Sequence, residues 1–124
     1  MNQVKKFDLK YSYDIDVDSI HIKITEDYKY SESLELEDGI ILDFSTEGVP
    51  VCLEILDLSE LFSINKECFE NIEDINISID ITNSTISLNL LMVVLNENKK
   101  INQPFTTIAK NMINIPEMNV ICSC

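Results

Sequence analysis

The amino-acid sequence predicts an α+β fold that is mainly antiparallel β, two related β-units packed together with one or two short helices. Three observations predict it. Apolar residues recur with period two through most of the chain, the spacing turns helical between residues 57 and 72, and the hairpin pattern of Tyr13 to Ile24 returns at Ile79 to Leu90. With 124 residues, 45% of them hydrophobic, one domain over 1–124 can fill a core of ordinary size.

The first strand runs from Phe7, with Phe7, Leu9, Tyr11, Tyr13 and Ile15 on one face and Asp8, Lys10, Ser12, Asp14 and Asp16 on the other. Asp16-Val17-Asp18-Ser19 supplies turn-forming side chains, and Ile20, Ile22 and Ile24 resume the alternation, which completes a hairpin. Glu26 to Ser33 is polar and reads as a loop. Leu34 and Leu36 then alternate with Glu35 and Glu37 up to a tight turn or bulge at Asp38-Gly39.

Ile40, Leu42 and Phe44 begin a second hairpin. Ser45-Thr46-Glu47-Gly48 fits a type I turn followed by a left-handed glycine, and Val49, Val51, Leu53 and Ile55 form the returning strand. Leu58, Leu61, Phe62, Cys68, Phe69 and Ile72 then recur at helical spacing, with Asp57 or Ser59 as N-cap and a break available near Ser63 to Asn65.

Period two returns with Ile75, Ile77, Ile79 and Ile81, a turn at Asn83-Ser84, and the row Ile86, Leu88, Leu90, Met92 and Val94. Leu91, Val93 and Leu95 are apolar on the opposite face too, so this strand is expected to be central and covered on both sides. Ile101 to Ile108 and Asn119 to Cys124 read as weaker strands, and Pro104 and Pro116 confine their surroundings to edges or loops.

Superposed without a gap, Asp14 falls on Asp80, Ile20 on Ile86, and Pro50 on Pro116, which reads as a diverged duplication. Residues 73–124 would form the second β-unit. The second copy keeps the isoleucines and replaces acids, with Thr82 opposite Asp16 and Ser84 opposite Asp18.

The order Tyr13, Asp14, Asp16, Asp18, Ile20, Ile22, then Ser33, Glu35, Asp38, Gly39, Asp43, Gly48, Glu54, Ile55, Leu56 and Ser59 resembles the domain of unknown function 2283 family, small prokaryotic proteins. The resemblance covers about residues 7–60, a β-unit that leads into the 57–72 helix. Cys52 stands where that family usually has glycine, and His21 where an aromatic is common. The resemblance implies a small β-rich fold with a helix and carries no assigned activity.

Nine Lys plus Arg against 22 Asp plus Glu leave a net charge of −13, which repels phosphate backbones and anionic lipid and favours a basic protein partner. Nucleic-acid and membrane binding are not expected. No apolar run reaches the roughly 20 residues of a membrane span, and no signal-type run follows Met1, so a cytoplasmic protein is expected. Cys52, Cys68, Cys122 and Cys124 match no disulfide scaffold or zinc-knuckle spacing and read as reduced thiols.

Asp14, Asp16, Asp18, Asp38, Asp43 and Glu54 are the candidate partner-binding residues. The expected function is that of a non-enzymatic acidic interaction or regulatory protein, antitoxin-like in kind, acting as monomer or homodimer without a cofactor. The alternative is a small metal-binding module or metal-dependent hydrolase using clustered Asp14, Asp16, Asp18, Asp38 and Asp43, since hard cations take grouped oxygens. No mid-loop glycine lies between Val17 and Glu26 to make a calcium loop, and Gly39 and Gly48 alone make no phosphate loop. A homo-oligomer joined through edge strands or Tyr11, Tyr13, Tyr28 and Tyr30 is a third reading.

Overall fold

Period-two alternation becomes nine strands in the computed structural model, which describes residues 3–124. β1 (Gln3–Asp14) and β2 (Ser19–Ile24) form the first hairpin, and β3 (Tyr30–Glu37), β4 (Ile40–Ser45) and β5 (Pro50–Ile55) form a meander. A short helix α1 (Leu58–Phe62) and a 3₁₀ segment (Lys66–Glu70) lead into β6 (Ile72–Ile81), β7 (Thr85–Asn96), β8 (Lys99–Lys110) and β9 (Met118–Ser123). Hydrogen bonds join all nine strands in the order β3-β4-β5-β2-β1-β9-β6-β7-β8.

β1 is long enough to serve two neighbours. Its first half, Gln3 to Asp8, pairs in parallel with Met118 to Ser123 of β9, and its second half, Leu9 to Asp14, pairs antiparallel with β2. The sheet curls so that its two edge strands approach, and Thr107 Oγ1 on β8 donates to Glu37 Oε2 on β3 at 2.9 Å. The inward rows of both halves, from Ile20, Ile22, Leu42, Leu53 and Ile55 to Ile79, Leu88, Met92 and Val120, then meet in one core. Each such side chain contributes about 1.5–3 kcal/mol on burial.

Turn chemistry fixes the connections. Gly48 has φ +78°, and its N–H donates to Ser45 O at 2.9 Å, the left-handed glycine that the β4–β5 turn requires. Asn111 is buried and ties the β8–β9 connection: its Nδ2 donates to Thr82 O and Ile115 O, and its Oδ1 accepts from Ile115 N–H. Among the described residues no helix is long and apolar enough to cross a membrane.

The expected fold class needs correction in two respects. The fold is not α+β: 64% of it is strand and 8% helical. The helical spacing of residues 57–72 does produce short helical pieces, α1 and the 3₁₀ turn, separated at the expected break: Ser63 takes a left-handed conformation at φ 57° and ends the helix after five residues. Nor do two separate β-units stack, since the β1–β9 pairing fuses both halves into one sheet.

The strands that follow the two aligned hairpins are also placed differently. β5 pairs with β2, but β9, the counterpart of β5 at the 66-residue offset, lies between β1 and β6 and does not pair with β7, the counterpart of β2. The 66-residue correspondence of Asp14 with Asp80 therefore does not extend to strand order. β7, expected at the centre, lies next to the edge strand β8 and leaves Leu91 37% exposed on its outer face. The centre belongs instead to β1 and β9.

Candidate functional site

The candidate residues separate once the strands form. Asp14 ends β1 and accepts from Asp16 N–H at 3.0 Å, and both side chains are exposed. Asp18 is the opposite case, 6% exposed and in a left-handed conformation at φ 55°. Asp38 is exposed in the β3–β4 turn, Asp43 accepts from Ser33 Oγ at 2.6 Å on the outer face of β4, and Glu54 pairs with His21 Nε2 at 2.7 Å. Among the described residues no three His, Cys, Asp or Glu side chains are grouped as a metal ion would need.

Asp18 binds the first hairpin to the helix. Its carboxylate accepts from Ser59 N–H at 3.1 and 3.2 Å, from Ser59 Oγ at 2.6 Å and from Tyr13 Oη at 2.6 Å, while its backbone oxygen accepts from Leu58 N–H. Asp57, an expected N-cap, makes no side-chain cap bond. Burial alone would raise the Asp18 pKa, but the Ser59 and Tyr13 donors outweigh it and hold the carboxyl below its ordinary range. Burial, with the Asp18 hydrogen bond and charge, pushes the Tyr13 hydroxyl well above its ordinary value. Tyr13 in turn packs against Phe69, ring centroids 5.5 Å apart.

The residues that carry the family resemblance meet one another in the same way. Tyr13 and Ser59 meet at Asp18, Ser33 meets Asp43, and Glu35 Oε2 accepts from Gly39 N–H at 3.1 Å. These contacts hold turns and the helix start, so much of the motif is architecture.

The outer face of β1, β2, β5 and β4 carries a cleft of about 460 Å³ whose lining includes Lys10, His21, Lys23, Tyr28, Asp43 and Cys52. Register explains the grouping. Lys10 lies opposite Lys23, Lys23 opposite Cys52, and Cys52 opposite Asp43, so one row crosses four strands. His21 stands in the next row, opposite Glu54. Burial, reinforced by Asp43, pushes the Cys52 thiol up to about 11, which leaves it neutral at the cleft floor.

Sequence reasoning missed this cleft because it read Lys10 only as one member of the first strand's polar face and followed no row across to the neighbouring strands. The signal was present: Lys10 and Lys23 are equidistant from the Asp16-Val17 turn, and an antiparallel hairpin must place such positions side by side. Tyr28 could not be placed this way, because it comes from the loop after β2.

Comparison with known proteins agrees with the resemblance read from the sequence. The family model described as "Protein of unknown function (DUF2283)" matches residues 10–59. A protein of Methanosarcina mazei named "Putative hypoxanthine phosphoribosyltransferase" is 36% identical over 86% of this chain and 85% of its own length. An uncharacterized protein of Methanocaldococcus jannaschii is 30% identical over 91% of this chain and 97% of its own length. No solved structure matches the chain significantly. The Tyr13-to-Ser59 motif, the family match and relatives aligned along most of their length together place the chain in the DUF2283 family of proteins of unknown function.

Proposed function

We propose that the protein is a non-enzymatic interaction protein, regulatory or antitoxin-like in kind, whose acidic first half binds a basic protein partner. The observation that carries this reading is the edge strand β3. From Tyr30 to Glu47 the sequence has six acids and no base, and Glu32, Glu35, Glu37 and Asp38 are exposed along that edge. Grouped carboxylates there attract a cationic surface, and the net charge of −13 steers its approach.

Bulges interrupt the β3–β4 register at Tyr30/Glu32 and Glu35/Glu37, so the partner would dock through side chains rather than by adding a strand. Asp14, Asp16, Asp38 and Asp43 stay exposed or part-exposed to contribute, whereas Asp18 is buried in the fold. Four free cysteines, three of them buried, suit a reducing compartment and support a cytoplasmic protein.

The rival metal-dependent reading is not favoured, because its aspartates are dispersed over two turns and two strands and among the described residues form no metal-sized group. The name of the Methanosarcina relative assigns no residue here. A backbone phosphate cradle needs a glycine-rich loop, and Gly39 and Gly48 both sit in tight turns.

The test is a pull-down at low and high salt, with wild type beside E32Q/D38N. A basic partner held by wild type, released by salt and lost by the variant supports the reading. No salt-sensitive basic partner, or equal retention by the variant, overturns it.

A further inference from the structure

We infer that the cleft on the outer face of β1, β2, β5 and β4 binds a small organic phosphomonoester, its phosphate between Lys10 and Lys23 and its far end toward Asp43. This goes beyond the interaction reading above; the two share Asp43, but the phosphate end at Lys10 and Lys23 is separated from the edge strand β3 by two to three strands.

The first support is an uncompensated charge pair. Lys10 and Lys23 are direct cross-strand partners, an arrangement that repels. The chain has 22 acids to offer, yet the ion pair found among the described residues is His21–Glu54, and neither lysine has a carboxylate within ion-pair distance. Two lysines that line one cleft without a carboxylate in ion-pair distance suit an arriving anion. A phosphomonoester, with a charge of about −1.5 to −2 near neutral pH, matches two cations better than a single carboxylate does.

The second support is polarity along the cleft. The row runs from Lys10 and Lys23 across the neutral Cys52 thiol to Asp43, which Ser33 Oγ holds in place. At about 4.8 Å between neighbouring strands, Lys23 and Asp43 lie roughly 10 Å apart. A bare ion would fill only the lysine end. A ligand with a phosphate at one end and a hydrogen-bond donor at the other spans the row, and Tyr28 offers its ring to the organic part. The volume of about 460 Å³ falls within the range of small-molecule sites.

The experiment is an NMR titration of the full chain with adenosine 5′-monophosphate and ribose 5-phosphate up to millimolar concentration, with adenosine as the phosphate-free control. K10Q/K23Q removes both cations and also their mutual repulsion, so its melting temperature should not fall below that of wild type. Saturable shifts centred on Lys10, Lys23 and Tyr28 with either ester, inert adenosine, and an affinity roughly tenfold lower in K10Q/K23Q are expected. No saturable shift with either ester, shifts centred elsewhere, equal binding of adenosine, or an unchanged affinity in the variant would overturn the assignment.

Discussion

Asp18 caps helix α1 through Ser59, a residue 41 positions away, and both the hydroxyl and the backbone N–H of Ser59 donate to its carboxylate. The first hairpin turn therefore supplies what a local N-cap would supply elsewhere. Asp18→Asn keeps a side chain that tolerates the left-handed backbone but weakens the acceptor, and should lower stability by about 1–3 kcal/mol. Ser59→Ala should cost about 1 kcal/mol, and the double variant less than the sum of the singles, because the residues share one set of bonds. Urea denaturation of all three checks this; additive effects would argue against the coupling.

The same carboxylate predicts an acid dependence. The folded pKa of Asp18 lies below its unfolded value, so its contribution is complete above the unfolded value of about 3.9 and is lost as pH falls through the folded one. Protonation of the other acids acts on both proteins, so the quantity to measure is the stability difference between wild type and Asp18→Asn. It should be constant near neutrality and shrink in acid below about pH 4. A difference independent of pH throughout would sink the prediction.

Gly48 and Pro116 form a tight contact between the β4–β5 turn and the segment before β9. A Cβ on Gly48 would stand 2.8 Å from Pro116 Cδ, and the backbone there has φ +78°. Gly48→Ala should therefore lose about 1–2 kcal/mol from backbone conformation, plus the cost of moving the proline ring. Adding Pro116→Ala should recover the second part and not the first. A shift in urea midpoint reads both, and a Gly48→Ala protein as stable as wild type would contradict the geometry.

The thiols should react in a fixed order. Cys124 is exposed, whereas Cys52 and Cys122 are buried and pushed up to about 11, by burial in both cases and by Asp43 in addition at Cys52. Iodoacetamide at neutral pH should modify Cys124 first and the three buried thiols, Cys52, Cys68 and Cys122, only after unfolding. Mass spectrometry over time distinguishes this from uniform labelling, which would mean that the core opens readily.

Much of the strand pattern was legible because side-chain alternation is local. The rows of Ile20, Ile22, Ile24 and Ile75, Ile77, Ile79, Ile81 appear where alternation places them. Pairing between distant strands was not legible. Asn119 to Cys124 looked like a weak strand because its outer residues are mixed, yet it fills the gap between β1 and β6. Leu91, Val93 and Leu95 looked buried because apolar content does not reveal which face is covered. The site followed the same division: Asp43 and Glu54 lie on the outer face that alternation gives them, but whether Asp18 pointed outward or under the helix depended on Ser59.

The parallel pairing of β1 with β9 has a kinetic consequence. β9 emerges from the ribosome after the other eight strands, but it belongs in the middle of the sheet. Until it arrives, β1 and β6 each present an unpaired edge, and the nascent chain holds two half-sheets with open sides. Closing them joins Gln3 to Met118 and requires contacts of very high sequence separation, the kind that slows folding. The exposed edges of that interval are where aggregation would begin, and a chain cut before Met118 would be left with them permanently.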